Sequence, residues 1–410
     1  MIDVGEPFVS DLPPDIDQET IDDYEREKQT EEINRLMSTY GVSPPMTSSE
    51  FAAADFRIDY IVDDILPEKQ MTVIAGAAKG LKTTTSIDLA LSIGAASDFG
   101  IKKQFLGRFW VQHQKRVLVC SAESGHATLQ ETANRIARSK NFELASLGDS
   151  VAWEFWVPSA KNSEQLQILS HFIQKHKPDV VIIDPLYQCL DGDDQANVSK
   201  NGQQIMDLAK VCLDKDCTPV MVDHVKRSSE NAKNFSPLEL HDVTGAGKAE
   251  AFRSWLLLGR RERFDPENPI HRLWLTVGGS AGHCGSYAVD IDESRDDAGK
   301  RGYELNVMYG SEAAVESEER AEHAKAQKAA KKLDDRAQKL RDAFVGIGRN
   351  GQTKSKAFRR AGLSNAAGDE ALGKLLRDGI LEDCETVTPR GKYDGYRLST
   401  RGEQEVSNDE

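Results

Sequence analysis

No apolar run in this sequence approaches the length of a membrane span. No pair of cysteines is spaced C-x-x-C, and no histidines stand at ligand spacing from Cys120, Cys189, Cys212, Cys217, Cys284 or Cys384. That excludes a legible zinc site or disulfide framework and leaves free cytosolic thiols as the simplest reading. The opening residues, M-I-D-V-G-E-P, lack the features of a signal or transit peptide, so a cytoplasmic protein without membrane contact is expected. Basic residues are short too. Lys and Arg number 52 against 67 Asp and Glu, a net charge of −15, so the chain as a whole is not an obvious polyanion binder.

The deficit is uneven. Residues 1–50 hold 13 Asp/Glu against three Lys/Arg, whereas residues 331–401 hold 16 Lys/Arg against 10 Asp/Glu. With 410 residues, 39% hydrophobic, there is material for two or three domains and one large core.

What is present is most informative at residues 76–84, G-A-A-K-G-L-K-T-T, which follow the apolar run M-T-V-I-A. Strand, glycine-rich turn, Lys-Thr and an amphipathic helix over Ser86–Ala95 form the layout of a nucleotide phosphate cradle. Glycine lets backbone N–H groups turn inward on phosphate oxygens. A helix N-terminus adds partial positive charge. The candidate ATP-binding residues are Gly76, Ala77, Ala78, Lys79, Gly80, Leu81, Lys82, Thr83 and Thr84. Lys82 would reach the β- and γ-phosphates, and the Thr83 hydroxyl would ligate Mg²⁺. The loop departs from G-x-x-x-x-G-K-[ST]: its second glycine stands one place early, at Gly80, and Leu81 precedes the lysine. The bland alternative is a glycine-rich turn with no ligand.

Three later strand ends add polar groups. V-V-I-I-Asp184 reads as a buried parallel strand with a carboxylate at the end where α/β sheets bind ligands, suited to holding Mg²⁺. R-V-L-V-C-S-A-Glu123 offers a carboxylate to activate the attacking water, or simply a residue near a helix start. P-V-M-V-D-His224 places an imidazole where it would sense the γ-phosphate, or one that is merely structural. Arg261 and Arg263 follow L-L-L-G-R. Two apart, they would point the same way on an extended strand, and an arginine supplied across a subunit boundary stabilises a transferring phosphoryl group. A solvated basic hairpin is the competing reading.

Along the chain, an acidic arm over 1–50 carries one helix near Gln18–Met37. It is a solvated arm or a strap onto a neighbouring subunit. Residues 51–310 alternate in the α/β manner. Strands are expected at Met71–Ala75, Arg116–Cys120, Val151–Trp156, Val180–Ile183, Pro219–Val222, Ser254–Leu258, His271–Val277 and Tyr287–Ile291. Helices are expected at Thr84–Ile93, Leu129–Ala137, Ser163–His176 and Gly202–Leu213. The last strands lack intervening helices, which implies an antiparallel extension. Residues 311–335 read as an exposed helical linker held by i,i+4 charge pairs. Residues 336–401 read as a small domain of three helices (Arg336–Val345, Lys354–Arg360, Asn365–Arg377) and a basic hairpin, the winged-helix pattern. Its third helix, with Lys374, and its wing tip, Arg390 and Lys392, would approach duplex DNA; protein docking is the alternative use. Residues 402–410 form a tail.

The series I-V-D-D-I-L-P, G-A-A-K-G-L-K-T-T, C-S-A-E-S, V-V-I-I-D-P-L, V-D-H-V-K-R and V-T-G-A-G-K-A-E-A-F-R-S-W resembles the RepA-like branch of RecA/DnaB-type P-loop ATPases of plasmids, phages and mobile elements. The resemblance covers about residues 55–285. It implies a RecA-like α/β core with a mostly parallel sheet, ATP and Mg²⁺ at subunit interfaces, and a homo-oligomer in the form of a ring. It carries over Lys82 and Thr83 as phosphate and Mg²⁺ contacts, Asp184 as the metal-side acid, Glu123 as the catalytic acid, His224 as the sensor, and Arg261 with Arg263 as a paired basic finger. It also implies channel loops that hold single-stranded DNA. The loop after His224, with Lys226, Arg227 and Lys233, is the better candidate, since the one after Asp184 is acidic. Two functions follow as expectations: a ring ATPase acting on DNA in a helicase-like way, or an ATP-switched DNA-binding regulator or loader that does not translocate.

Overall fold

The computed structural model describes residues 17–95, 104–190, 198–226, 235–245, 247–388 and 391–408. Residues 1–58 and 59–410 form separate units. The first holds α1 (Gln18–Tyr40) and α2 (Ser48–Ala53). Asp17 caps α1 by accepting the Thr20 N–H, and Gly41 ends it in the left-handed conformation. Neither helix buries a residue, so the thin apolar stripe of α1 is unburied.

The second unit is built on a nine-stranded sheet, counted among the described residues, in the order β11-β10-β9-β8-β3-β7-β6-β4-β5. Its central strands are β3 (Thr72–Gly76), β7 (Thr218–His224), β6 (Val180–Asp184), β4 (Val117–Ser121) and β5 (Val151–Glu154), all parallel. β8 (Ser254–Arg260) pairs parallel to β3 on its other side. Then β9 (Ile270–Gly279), β10 (Cys284–Asp292) and β11 (Glu304–Tyr309) extend the sheet antiparallel, as the absence of helices between them implies. A small hairpin of β1 (Tyr60–Val62) and β2 (Leu66–Pro67) precedes β3.

β3, β4 and β6 are buried along their whole length, which is why they read as near-continuous apolar runs rather than alternating ones. Helices α3 (Lys82–Gly94) and α4 (His126–Ser139) cover one face of the sheet. Helices α5 (Ser163–His176) and α6 (Val198–Leu213) cover the other. The amphipathic pattern expected for α3 is not what the fold uses. Twelve of its 13 residues are buried, because α4 and the segment after it close over its polar side. Asp88 there accepts the Leu106 N–H and pairs with Lys140 at 3.2 Å. A four-residue helix, α7 (Lys248–Ala251), precedes β8.

The linker expected over 311–335 and the helix expected from Arg336 are one element, α8 (Gly310–Asp342). Its 33 residues span about 50 Å. The i,i+4 support expected for it comes down, among the described residues, to one pair, Arg320 with Glu316. Then come α9 (Lys354–Ala361), α10 (Asn365–Arg377), a hairpin of β12 (Leu381–Thr388) and β13 (Gly391–Leu398), and α11 (Thr400–Asn408). The end of α8 packs with α9, α10 and β12 around Leu340, Phe344, Phe358, Leu372 and Leu375. Gln352 bridges to Tyr396, giving the hairpin a short third partner. Among the described residues no helix is long and apolar enough to cross a membrane.

Candidate nucleotide site

The sheet register aligns the groups that the sequence singled out. Gly76 at the end of β3 stands opposite His224 of β7, and Ser121 of β4 stands opposite Asp184 of β6. All lie at the carboxyl ends of parallel strands, where an open α/β sheet leaves a crevice for ligands.

The loop between β3 and α3 shows how its irregular spacing is accommodated. A Cβ on Gly76 would stand 2.7 Å from the Leu258 carbonyl oxygen of β8, so only glycine fits there. A Cβ on Gly80 would stand 2.9 Å from the Ala77 oxygen, which accepts the Gly80 N–H at 3.0 Å. Positive φ falls instead on Lys79 (56°) and Leu81 (60°). The displaced glycine thus answers a need for space, and Leu81 takes the left-handed conformation at a cost of about 1–2 kcal/mol. Its side chain packs on the core beneath α3, which offsets part of that cost.

Lys82 is 8% exposed. Its Nζ donates to the Ala77 oxygen at 2.9 Å and lies 3.2 Å from His224 Nδ1. Thr83 Oγ1 donates to Asp184 Oδ2 at 2.7 Å. Thr84 is buried just behind them. Burial pushes the Asp184 carboxyl up to about 6, against the Thr83 hydrogen bond and the Lys82 charge, which pull it down; the Glu123 charge pushes the same way as burial. Glu123 is exposed, two residues beyond β4, and close enough to act on Asp184 through its charge. The Thr83 hydroxyl and the Asp184 carboxylate offer only hard oxygen donors. That suits Mg²⁺, which keeps several waters and takes one or two protein oxygens beside substrate phosphates. No cluster of three or more His, Cys, Asp or Glu side chains that would form a self-contained metal cage exists among the described residues.

His224 is half-buried, and its ring centroid lies 5.6 Å from that of Tyr187, which the sequence reading did not single out. Asp223 was also missed as a site residue. One of its oxygens accepts the His224 N–H, and the other pairs with Lys248 at 2.7 Å, both side chains being buried. The His224 carbonyl accepts the Thr244 N–H. No local pattern signals a pair 25 residues apart; the glycines around Lys248 in T-G-A-G-K were the one available hint.

The basic finger is not assembled as expected. β8 ends at Arg260, so Arg261 and Arg263 do not share an extended strand and the two-apart rule does not apply. Arg261 pairs with Asp290 at 2.5 Å, lies over the Trp274 ring, and keeps only 2% of its side chain exposed. Arg263 is exposed. Arg260 is the one that reaches the phosphate loop, donating to the Lys79 oxygen at 3.4 Å.

Among the polyanion candidates, Lys226 donates to the His241 oxygen at the base of its loop, where Val225 bridges to Val243. Arg227, Lys233 and Arg390 lie outside the described residues. Lys374 pairs with Asp378 and Asp334, and Lys392 pairs with Glu385 at 2.6 Å.

A search of curated proteins finds no match to the chain. Residues 43–230, which contain the phosphate loop, Glu123, Asp184 and His224, match the family model of the AAA domain, a P-loop ATPase domain of the RecA-like kind.

Proposed function

We propose that the chain is an ATPase that couples ATP hydrolysis to work on DNA, assembled as a ring of the RecA/DnaB-like kind. The observation that carries the nucleotide part is the Lys82–Ala77–His224 contact set beside the Thr83–Asp184 hydrogen bond, at the ends of adjacent parallel strands.

In this reading the loop N–H groups and Lys82 hold the β- and γ-phosphates. Mg²⁺ would supply charge neutralisation to the phosphates, and Thr83 and Asp184 are the residues that would hold it. Glu123, exposed and unburdened by an ion pair among the described residues, takes the proton of the attacking water. His224 touches the lysine that binds the γ-phosphate, so the state of the phosphate reaches β7 and the segment that follows it. Arg263 is the exposed arginine left to act across a subunit boundary, since Arg261 is committed to Asp290 in its own subunit. DNA is the proposed partner. The three helices, the Gln352–Tyr396 bridge and the β12–β13 hairpin support a winged-helix reading of the C-terminal segment.

The same burial of Arg261 favours a second reading, an ATP-switched DNA-binding regulator or loader that needs no paired finger. Steady-state ATP turnover with and without single-stranded DNA, for wild type and Glu123→Gln, separates the two. The motor reading expects DNA to stimulate turnover severalfold and Glu123→Gln to lower it by at least about a hundredfold while ATP still binds. Tight ATP binding with slow turnover that ignores DNA would replace it with the switch.

A further inference from the structure

We infer that the C-terminal half of α8 is a contact surface for the phosphate backbone of duplex DNA, with Lys325, Lys328, Lys332 and Lys339 as its contacts. This rests on DNA being the partner in the proposed function, and it moves the contact away from α10 and the hairpin.

Charge is divided sharply within the C-terminal part of the chain. Residues 325–361 carry twelve Lys/Arg against three Asp/Glu, in a chain whose net charge is −15. Residues 362–408 carry six Lys/Arg against nine Asp/Glu. Of the cations on α10 and the hairpin that the winged-helix reading would use, the two among the described residues are already paired. Lys374 is held by Asp334 and Asp378, and Lys392 by Glu385. Neighbouring Asp369 and Glu370 pair with Lys354 and Arg336.

On α8 the situation is the reverse. Lys325, Lys328, Lys332 and Lys339 are exposed, and none has a carboxylate partner among the described residues. At about 100° per residue the four fall within an arc of about 60°, and they extend over about 21 Å of helix. This stripe lies about a third of a turn from the seam of Ala337 and Leu340 that faces the small core. Asp335 stands at its edge, and Lys331 adds a further exposed cation nearby. The helix dipole accounts for a base in the last turn, such as Lys339, but its effect fades before it reaches Lys325.

The chemistry of the stripe selects its partner. Its neighbours are alanines and glutamines (A-K-A-Q-K-A-A-K-K). Protein interfaces deplete lysine and centre on aromatic anchors, which this face lacks. Single-stranded nucleic acid is gripped by aromatic stacking platforms, also missing here. A straight row of point charges matches a rigid row of phosphates and reads no bases. Lys356 and Arg359 on α9, which packs against α8, are exposed and likewise have no carboxylate partner among the described residues.

The test is fluorescence anisotropy of the full chain with a labelled mixed-sequence duplex at a series of salt concentrations. Three proteins are compared: wild type, the combined variant Lys325→Gln, Lys328→Gln, Lys332→Gln and Lys339→Gln, and the pair Lys374→Gln with Lys392→Gln. Glutamine keeps helix propensity close to that of lysine at exposed positions, so circular dichroism should be unchanged. The fourfold variant should bind the duplex at least about tenfold more weakly at low salt. Its log-affinity against log-salt slope should be shallower by about three to four, the counterions of four phosphates. The Lys374/Lys392 variant should match wild type. The inference is overturned if wild type does not bind duplex, if the fourfold variant binds like wild type, or if the Lys374/Lys392 pair carries the loss. It is also overturned if the fourfold variant changes assembly state or single-strand binding while duplex binding is intact. Lys82→Ala should keep the wild-type slope, so a failure of the ATPase reading leaves this result interpretable.

Discussion

Asp184 shows how one residue carries both a cost and a role. Its carboxyl is buried at the end of β6, and burial lifts it from an ordinary 3.8 to about 6. Between those two values the folded protein holds a proton that the unfolded chain has released. In the absence of nucleotide, stability from this group is therefore greatest below about pH 3.8 and is lost as pH rises from there through about 6. Bound Mg²⁺ favours the charged form and reverses the preference. If the carboxylate holds Mg²⁺, kcat/KM, which reports the free enzyme, should fall as pH drops through the same value, and kcat, set in the Mg²⁺-bound complex, should fall only at lower pH. Thermal melts of nucleotide-free wild type and Asp184→Asn between pH 5 and 7.5 check the sign. The melting temperature of wild type should fall relative to the variant as pH rises. Parallel curves would mean that Asp184 is not held protonated by its surroundings, and the metal-side assignment would lose its electrostatic support.

The loop from β3 to α3 is where an element departs from its sequence pattern. Glycine stands at position 80 because the Ala77 oxygen occupies the space a side chain would need, and that same oxygen accepts both the Gly80 N–H and the Lys82 ammonium. Gly80→Ala should therefore open the loop and weaken ATP binding by at least about tenfold, equivalent to about 1.4 kcal/mol. Leu81→Gly relieves the positive φ but removes a packed side chain, two terms of similar size, and should bind ATP within about threefold of wild type. Calorimetric titration with a non-hydrolysable ATP analogue measures both, and wild-type affinity in Gly80→Ala would show that the loop does not cradle phosphate. The core strands were legible because buried parallel strands announce themselves as near-continuous apolar runs. Helix α5 was legible at both ends, with Asn162 capping the Glu164 and Gln165 N–H groups, and α10 likewise, capped by Ser364. β11 was missed because E-L-N-V-M-Y is a half-exposed edge strand with neither a β-branched run nor clean alternation. The continuity of α8 was missed because a change in composition near residue 335 does not interrupt the helix. The Asp223–Lys248 and Arg261–Asp290 pairs were invisible because long-range ion pairs leave no periodic trace.

At the scale of the whole molecule the question is whether one chain completes its own site. Arg260 reaches the phosphate loop from within the chain, yet it touches the Lys79 carbonyl from the loop side rather than standing free for the γ-phosphate. Arg261 is sequestered, and Arg263 is exposed beyond the end of β8. If Arg263 serves the neighbouring subunit, the two halves of the site can be separated by mutation. Lys82→Ala subunits would lack the phosphate contact but still lend an arginine, and Arg263→Ala subunits would hold ATP but lend nothing. Each variant alone should be inactive. Mixed in equal amounts and allowed to exchange, about a quarter of the boundaries pair an intact ATP site with an intact arginine, so turnover should return to about a quarter of the wild-type rate. An arginine acting within its own chain gives no recovery on mixing, because no mixed boundary would then hold both groups in one subunit. Native mass spectrometry of the mixture, with one variant isotope-labelled, confirms exchange, so that a silent mixture of exchanged subunits excludes the shared site and favours the switch that needs no finger.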